Sequence, residues 1–433
     1  MGLTAPIPLS PSPFSLSPFS SSPRHSLALP LTLNTNSPTL KTMHISSYFK
    51  PVKDIILPIV AAHTGKRLGE IFKTHTTESG FPDLDAIDLA IIGVDEDRSA
   101  VENQGSAMSS LNVREYLYRL LPGNYKAKVA DLGDIMRGDT VEDTYFAVTA
   151  VVEALLELNI VPVIIGGGQD LTYAMYRAYK NRKNIINIAA VDNMFDLGES
   201  EEQLNSRSYL SHIILHKPNY LFNYTNIGYQ TYFVDQGAID LMHNLFFDIY
   251  RLGVLQSDIT QVEPLVRNAD LFSFDMSAIR QSDAPGNANA TPNGFYGEEA
   301  CQMVRYAGMS DKITSAGFFE MNPALDRNGQ TAHLLAQMIW YFIDGFYNRQ
   351  DDHPSTGAEN YIRYTVQVTD FNEGIVFYKS KPTERWWMEI KCSDNIREKY
   401  RRHYIVPCSA ADYQTALADE IPDRWWQAYQ KLM

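Results

Sequence analysis

The chain has 433 residues, 45% hydrophobic and 20% charged, which gives it enough apolar material for a large core and excludes a disordered chain. A formal charge of −14 and a pI near 5.2 argue against nucleic acid and anionic membrane as partners. No apolar run approaches the roughly 20 residues needed to span a bilayer, and Cys301, Cys392 and Cys408 show neither zinc spacing nor a disulfide framework, so a reducing, cytoplasmic location is expected.

Residues 1–42 are rich in Ser, Pro and Leu, contain no Asp or Glu, and carry only Arg24 and Lys41 as firm cations. Such a segment cannot bury enough surface to order itself, so the expectation is a disordered extension, or else a chain whose real first residue is Met43. Its Ser-rich, acid-poor composition is that of a transit peptide, although one should carry more arginine, and Pro6 stands where N-myristoylation needs Ser or Thr.

From residue 86 onward, short apolar runs alternate with amphipathic stretches. Strands are expected at Ile87–Val94, Lys128–Leu132, Val161–Ile165, Ile185–Val191, Leu221–Gly228, Leu271–Asp275 and Ile313–Phe319. Helices are expected at Leu111–Leu121, Val141–Leu158, Leu171–Tyr179, Ala238–Leu252, Glu298–Tyr306 and Thr331–Tyr347. Strands buried on both faces and separated by helices specify an α/β fold, a three-layer sandwich around a mostly parallel sheet with right-handed crossovers. After Tyr347 the pattern changes. Alternation in Tyr361–Val368 and Ile375–Lys379 suggests an antiparallel hairpin, followed by the pairs Trp386–Trp387 and Trp425–Trp426. We therefore expect a main α/β domain over 43–350 and a small α+β appendage over 351–433, packed on it for want of a long linker.

Three segments carry chemistry: Gly166-Gly-Gly-Gln-Asp170, Asp192-Asn-Met-Phe-Asp196 and Ser273-Phe-Asp-Met-Ser277. Each follows an apolar run, so each is expected where a buried strand opens into a loop, the place where ligands bind in open α/β sheets. In this order they resemble the ureohydrolase superfamily of arginases, agmatinases and formimidoylglutamases. Gly93-Val-Asp-Glu-Asp-Arg98, followed by Asn103 and Gly105, resembles that superfamily's first strand-loop, especially in its formimidoylglutamase branch. Val129-Ala-Asp-Leu-Gly133 is similar to the segment after its second strand, and Phe319-Glu-Met-Asn-Pro323 with Asp326 to its late ligand-holding segment. The resemblance covers about residues 86–350 and not the appendage.

The resemblance implies two Mn²⁺ ions held by six side chains, generating a hydroxide. Carried over position by position, Gln169 stands in place of a histidine, Met194 replaces the histidine between Asp192 and Asp196, and Ser277 replaces the carboxylate that should follow Asp275. Thioether sulfur suits Mn²⁺ poorly, and a neutral hydroxyl is a weak substitute for a charged oxygen. One ion could still find Asp192, Asp196, Asp275 and the Gln169 amide, an all-oxygen set suited to Mn²⁺ or Mg²⁺, so the expected cofactor is none or one weakly bound divalent cation. Hydroxide at neutral pH depends on a metal lowering the pKa of water from 15.7 toward ~7, so this substitution pattern points to lost dinuclear catalysis.

Several bland readings stand beside these. Gly166–Gly168 lack a following Lys-Ser/Thr and read as a tight turn rather than a phosphate cradle. Glu320 and Asp326 are candidates to hold a cationic ligand, but Glu320 could equally pair with Arg98, and Asp97 with Arg98 could be an internal salt bridge. His212, His216 and His243 read as structural, and the Trp pairs as core or interface anchors. The expected function is a ureohydrolase-fold protein acting as a non-catalytic binding or structural subunit. The alternatives are an active hydrolase of linear amidines and a partner-binding module working through the appendage. A small-molecule ligand, a protein partner at the appendage, and a homo-oligomer or larger assembly are the associations expected.

Overall fold

The structure, a computed structural model, describes residues 45–53, 66–182, 185–199, 202–354, 358–369 and 371–433. The expectation for residues 1–42 lies outside them. A ten-stranded sheet is formed by β1 (Phe49–Lys50), β2 (Lys73–Thr74), β3 (Leu89–Val94), β4 (Val129–Ile135), β5 (Val161–Ile165), β6 (Ile186–Val191), β7 (Leu221–Tyr229), β8 (Asp248–Arg251), β9 (Leu271–Asp275) and β10 (Ser315–Phe319). Its order is β1-β4-β3-β5-β10-β9-β6-β7-β8, with β2 beside β4. Only β1 runs antiparallel to its neighbour.

Helices cover both faces, which gives the expected three layers. Side-chain alternation along a strand sends neighbours to opposite faces. Ile91, Val163, Ile165, Phe272 and Phe274 point to the layer that holds α1 (Ser109–Leu117), α6 (Val262–Arg267), α7 (Gly297–Gly308) and α8 (Gln330–Phe346). Ile92, Ile164, Ile188 and Leu271 point to α2 (Val141–Glu157), α3 (Leu171–Arg177), α4 (Tyr209–Leu215) and α5 (Gln236–Asn244). The start of α2 is fixed by a capping box in which Thr140 and Asp143 satisfy each other's backbone N–H.

The single helix expected over Ala238–Leu252 is instead α5, strand β8 and a further short helix, Leu252–Ser257. Phe246 breaks it with a left-handed backbone (φ 56°), and the Asp-Ile-Tyr-Arg run that follows pairs with β7 at the sheet edge. Near the C-terminus β11 (Tyr361–Val368), β12 (Phe371–Ser380), β13 (Trp386–Glu389) and β14 (Ile405–Cys408) form a separate antiparallel sheet. With it go α9 (Asp394–Lys399), α10 (Ala410–Leu417) and α11 (Asp423–Leu432). Trp387 and Trp425 are buried, and Trp386 stacks on Tyr364 and Tyr413. No helix among the described residues is long and apolar enough to cross a membrane.

Candidate functional site: the carboxyl ends of four neighbouring strands

The chain passes from β5 to β6 and later fills the space between them with β10 and β9. The carboxyl ends of β5, β10, β9 and β6 therefore lie side by side, at the position where open α/β sheets bind ligands. They present Gln169, Glu320, Asp275, and Asp192 with Asp196. All five are buried.

The loop after β5 turns through Gly166 and Gly167, at φ 92° and 77°. A Cβ at Gly167 would lie 2.4 Å from the Glu96 carbonyl oxygen. The N–H groups of Gly166, Gly167 and Gly168 donate to the carbonyls of Phe318, Ser106 and Glu96, so they are committed to the turn rather than offered to a phosphate. This turn points Gln169 inward. Its backbone N–H donates to Glu320 Oε1 (3.0 Å) and its Nε2 to Ser273 Oγ (3.3 Å). Its Oε1 has no donor.

Asp192 Oδ1 accepts the Met194 N–H at 2.8 Å. Oδ2 of Asp192 and Oδ2 of Asp196 are buried without an N–H or O–H donor from elsewhere. The two carboxyl groups lie against each other, an arrangement that one shared proton satisfies. Asp196 is held there in a left-handed backbone conformation (φ 51°). Asp275 Oδ1 accepts the Ser277 N–H at 2.6 Å, and Asn193 Nδ2 donates to the Ser277 carbonyl, tying the β6 and β9 loops together.

Burial dominates the electrostatics. It pushes the Asp196 carboxyl up to about 7, with Asp275 and Glu320 adding to the effect. Burial and then the charge of Asp192 push Asp275 up to about 8. Asp192 and Glu320 are held well above the usual carboxylate range, again by burial first. Asp170, which accepts from the Tyr145 hydroxyl at 2.7 Å, is raised to about 7 by burial. A buried acid cluster of this kind holds protons at neutral pH.

The family's metal centre can be tested against these donors. Gln169, Met194 and Ser277 supply an amide, a thioether and a hydroxyl where the resemblance calls for two imidazoles and a carboxylate. Among the described residues, no three His, Cys, Asp or Glu side chains are grouped so that they could hold a metal ion. Two manganese ions do not fit this residue set.

The remaining sequence candidates take other parts. Asp326 uses both carboxylate oxygens on the Thr331 and Ala332 N–H groups in the first turn of α8 (3.0 and 2.9 Å), which accounts for its burial without a ligand. The alternative Glu320–Arg98 and Asp97–Arg98 pairings do not form. Arg98 instead forks onto Glu96 (2.9 and 2.5 Å), a nearer carboxylate two residues away, and Asp97 accepts the Gly105 N–H at 2.6 Å. Glu320 is held by Asn103. The Asp131 motif is structural, since the buried Arg114 bridges Asp131 and Asp134. His216 bonds the Tyr173 hydroxyl and His212 the Glu202 carbonyl, while His243 is exposed on α5.

Sequence reasoning missed Arg207, whose charge favours ionised Asp196 and Asp275 and which is anchored on Glu102 and Asn289. It also missed Asn287, which donates to the Glu320 carbonyl. The dense Asn and Gly content of residues 285–294 was the available signal.

The arginase family model matches residues 87–344, more than half of the chain. The chain belongs to the arginase family. Among arginase-family proteins, formimidoylglutamase of Bacillus subtilis (strain 168) is 24% identical over 281 residues, spanning 59% of this chain and 86% of that protein. Formimidoylglutamase of Staphylococcus aureus (strain JH9) is 26% identical over 189 residues, spanning 42% and 60%. The fold is also that of Trypanosoma cruzi formiminoglutamase with Mn²⁺ (TM-score 0.59, 21% identity, 66% of this chain and 99% of that one). The agmatine ureohydrolase of Thermoplasma volcanium shares it as well (TM-score 0.54, 19% identity, 67% and 97%).

Proposed function

We propose that this arginase-family chain has lost dinuclear manganese catalysis and acts as a non-catalytic binding or structural subunit, with the strand-end acid cluster as its ligand site. The observation that carries this reading is the substitution of three of the six expected metal positions at the carboxyl ends of β5, β6 and β9, by Gln169 and Ser277, both buried, and by the half-buried Met194. Without a metal there is no source of hydroxide at neutral pH. What remains is a buried acid cluster with one unmet acceptor, Gln169 Oε1, that would receive a strongly donating group. The test is an assay of the full chain, with excess manganese, for release of formamide, ammonia or urea from formimidoyl and guanidino compounds. No turnover above background is expected; turnover at enzymatic rates would overturn the reading.

A second reading is favoured by the relatives. Those reported above by sequence are formimidoylglutamases, and this supports an active hydrolase of linear amidines. Under it, activity would depend on Asp275, and Asp275→Asn would abolish turnover. Turnover that survives this substitution would count against a strand-end mechanism.

A further inference from the structure

A cavity lies at the opposite ends of the same strands. It encloses about 510 Å³, within the range of small-molecule sites. One wall comes from the residues just before β9 and β10, including Asn268 and Lys312; the other comes from Trp387, Arg401, Arg402 and Tyr404 of the C-terminal sheet region. The full length of strand β9 separates it from the acid cluster.

Its charges are unevenly matched. Asp270 serves two cations at once, with Arg402 Nη2 at 2.5 Å from one oxygen and Lys312 Nζ at 3.9 Å from the other. Arg267 packs its guanidinium 4.3 Å from the centre of the Trp387 ring and forks onto Glu263, but its buried Nη1 has no partner. Glu263 is itself shared with Arg385. Arg401 makes no ion pair among the described residues.

Of the three acids that line the cavity, Asp352 is held in an ion pair. Asp352 pairs with Arg385 and the Thr383 hydroxyl, and Asp311 accepts the Asp352 N–H. Asp351 sits at the exposed rim. His353 reports the resulting field. Burial, then Lys312 and Arg267, push it down to about 4, so it adds no charge of its own near neutral pH.

We infer that this cavity is a binding site for a small oxyanion, phosphate- or carboxylate-bearing, gripped by Lys312, Arg401 and Arg402 between the main sheet and the C-terminal sheet. Its occupant would bring Arg401 together with Lys312 and Arg402, which now share Asp270, and would join the two sheets across the cavity. The inference is independent of whether the strand-end site catalyses anything.

The test is calorimetric titration of the full chain with inorganic pyrophosphate and, separately, citrate, at fixed ionic strength. Saturable binding of at least one probe is expected, weakened about tenfold or more in both Arg401→Ala and Lys312→Met. Arg401 is exposed and unpaired, so its removal leaves the fold intact and keeps the test readable should Lys312→Met fail to fold. Binding of pyrophosphate alone would assign a phosphate-bearing ligand, and binding of citrate alone a carboxylate. No saturable binding of either probe would overturn the inference, as would binding that is unchanged in Arg401→Ala.

Discussion

Asn103 and Glu320, 217 residues apart, are joined twice: Asn103 Nδ2 donates to the Glu320 carboxylate at 2.7 Å and to its carbonyl oxygen at 2.9 Å. The Asn103 oxygen meanwhile accepts from the Ala288 N–H and from Asn322 Nδ2. One amide thus fixes the loop after β3, the end of β10 and the 285–294 loop, and holds Glu320 in a left-handed backbone (φ 67°) that a side chain of its size rarely adopts.

Removing that amide should be expensive. Asn103→Ala strips a donor from a buried carboxylate and leaves neighbouring groups unsatisfied, so a loss of about 1–3 kcal/mol is expected. Urea unfolding at neutral pH measures it. A variant as stable as the parent would show that the Asn103–Glu320 tie does not support the site.

The acid cluster sets a pH dependence. Asp196, Asp170 and Asp275 have folded-state pKa values raised to about 7, about 7 and about 8, so their protonated forms favour the folded state. That contribution is full below the ordinary value near 3.8 and is lost as pH rises through the raised values. Glu96 and Asp134 are lowered and act in the opposite sense, losing their contribution only at more acid pH. Melting temperature should therefore fall between about pH 5 and about pH 8, and Asp275→Asn should flatten the slope. A profile that rises over this window would contradict the assignment of buried protons.

Arg114 is a structural charge rather than a functional one. It is 1% exposed, bridges Asp131 and Asp134, and donates to the Gly133 carbonyl. Arg114→Met leaves two buried carboxylates without their cation, so a loss of about 3–5 kcal/mol is expected in chemical denaturation. A loss under about 1 kcal/mol would mean that water reaches the pair.

Much of this was legible in the sequence because one physical signal dominated it. Val161–Ile165 and Leu271–Asp275 are apolar on both faces, and each emerges as a central strand with the bounds expected. The positions of Gln169, Asp192 and Asp275 at strand ends followed directly. What did not follow were contacts made across the chain. Arg98 chose Glu96 over Asp97 or Glu320, and Asp326 caps a helix, because hydrogen-bond partners are set by loop paths that periodicity does not encode. Strand β8 was hidden for a similar reason: its Ile249 and Tyr250 fit a helical face until Phe246 turns the backbone. The cavity between the two sheets needs Lys312 and Arg402 brought together, and nothing local to either residue announces that.

The proposed loss of the dinuclear metal centre through Gln169, Met194 and Ser277 is read out by calorimetric titration of the purified, metal-stripped full chain with Mn²⁺, beside a Gln169→His, Met194→His, Ser277→Asp variant. No saturable binding below millimolar metal is expected for the native chain, with a gain of binding in the triple variant. Two tight manganese equivalents in the native chain would contradict it.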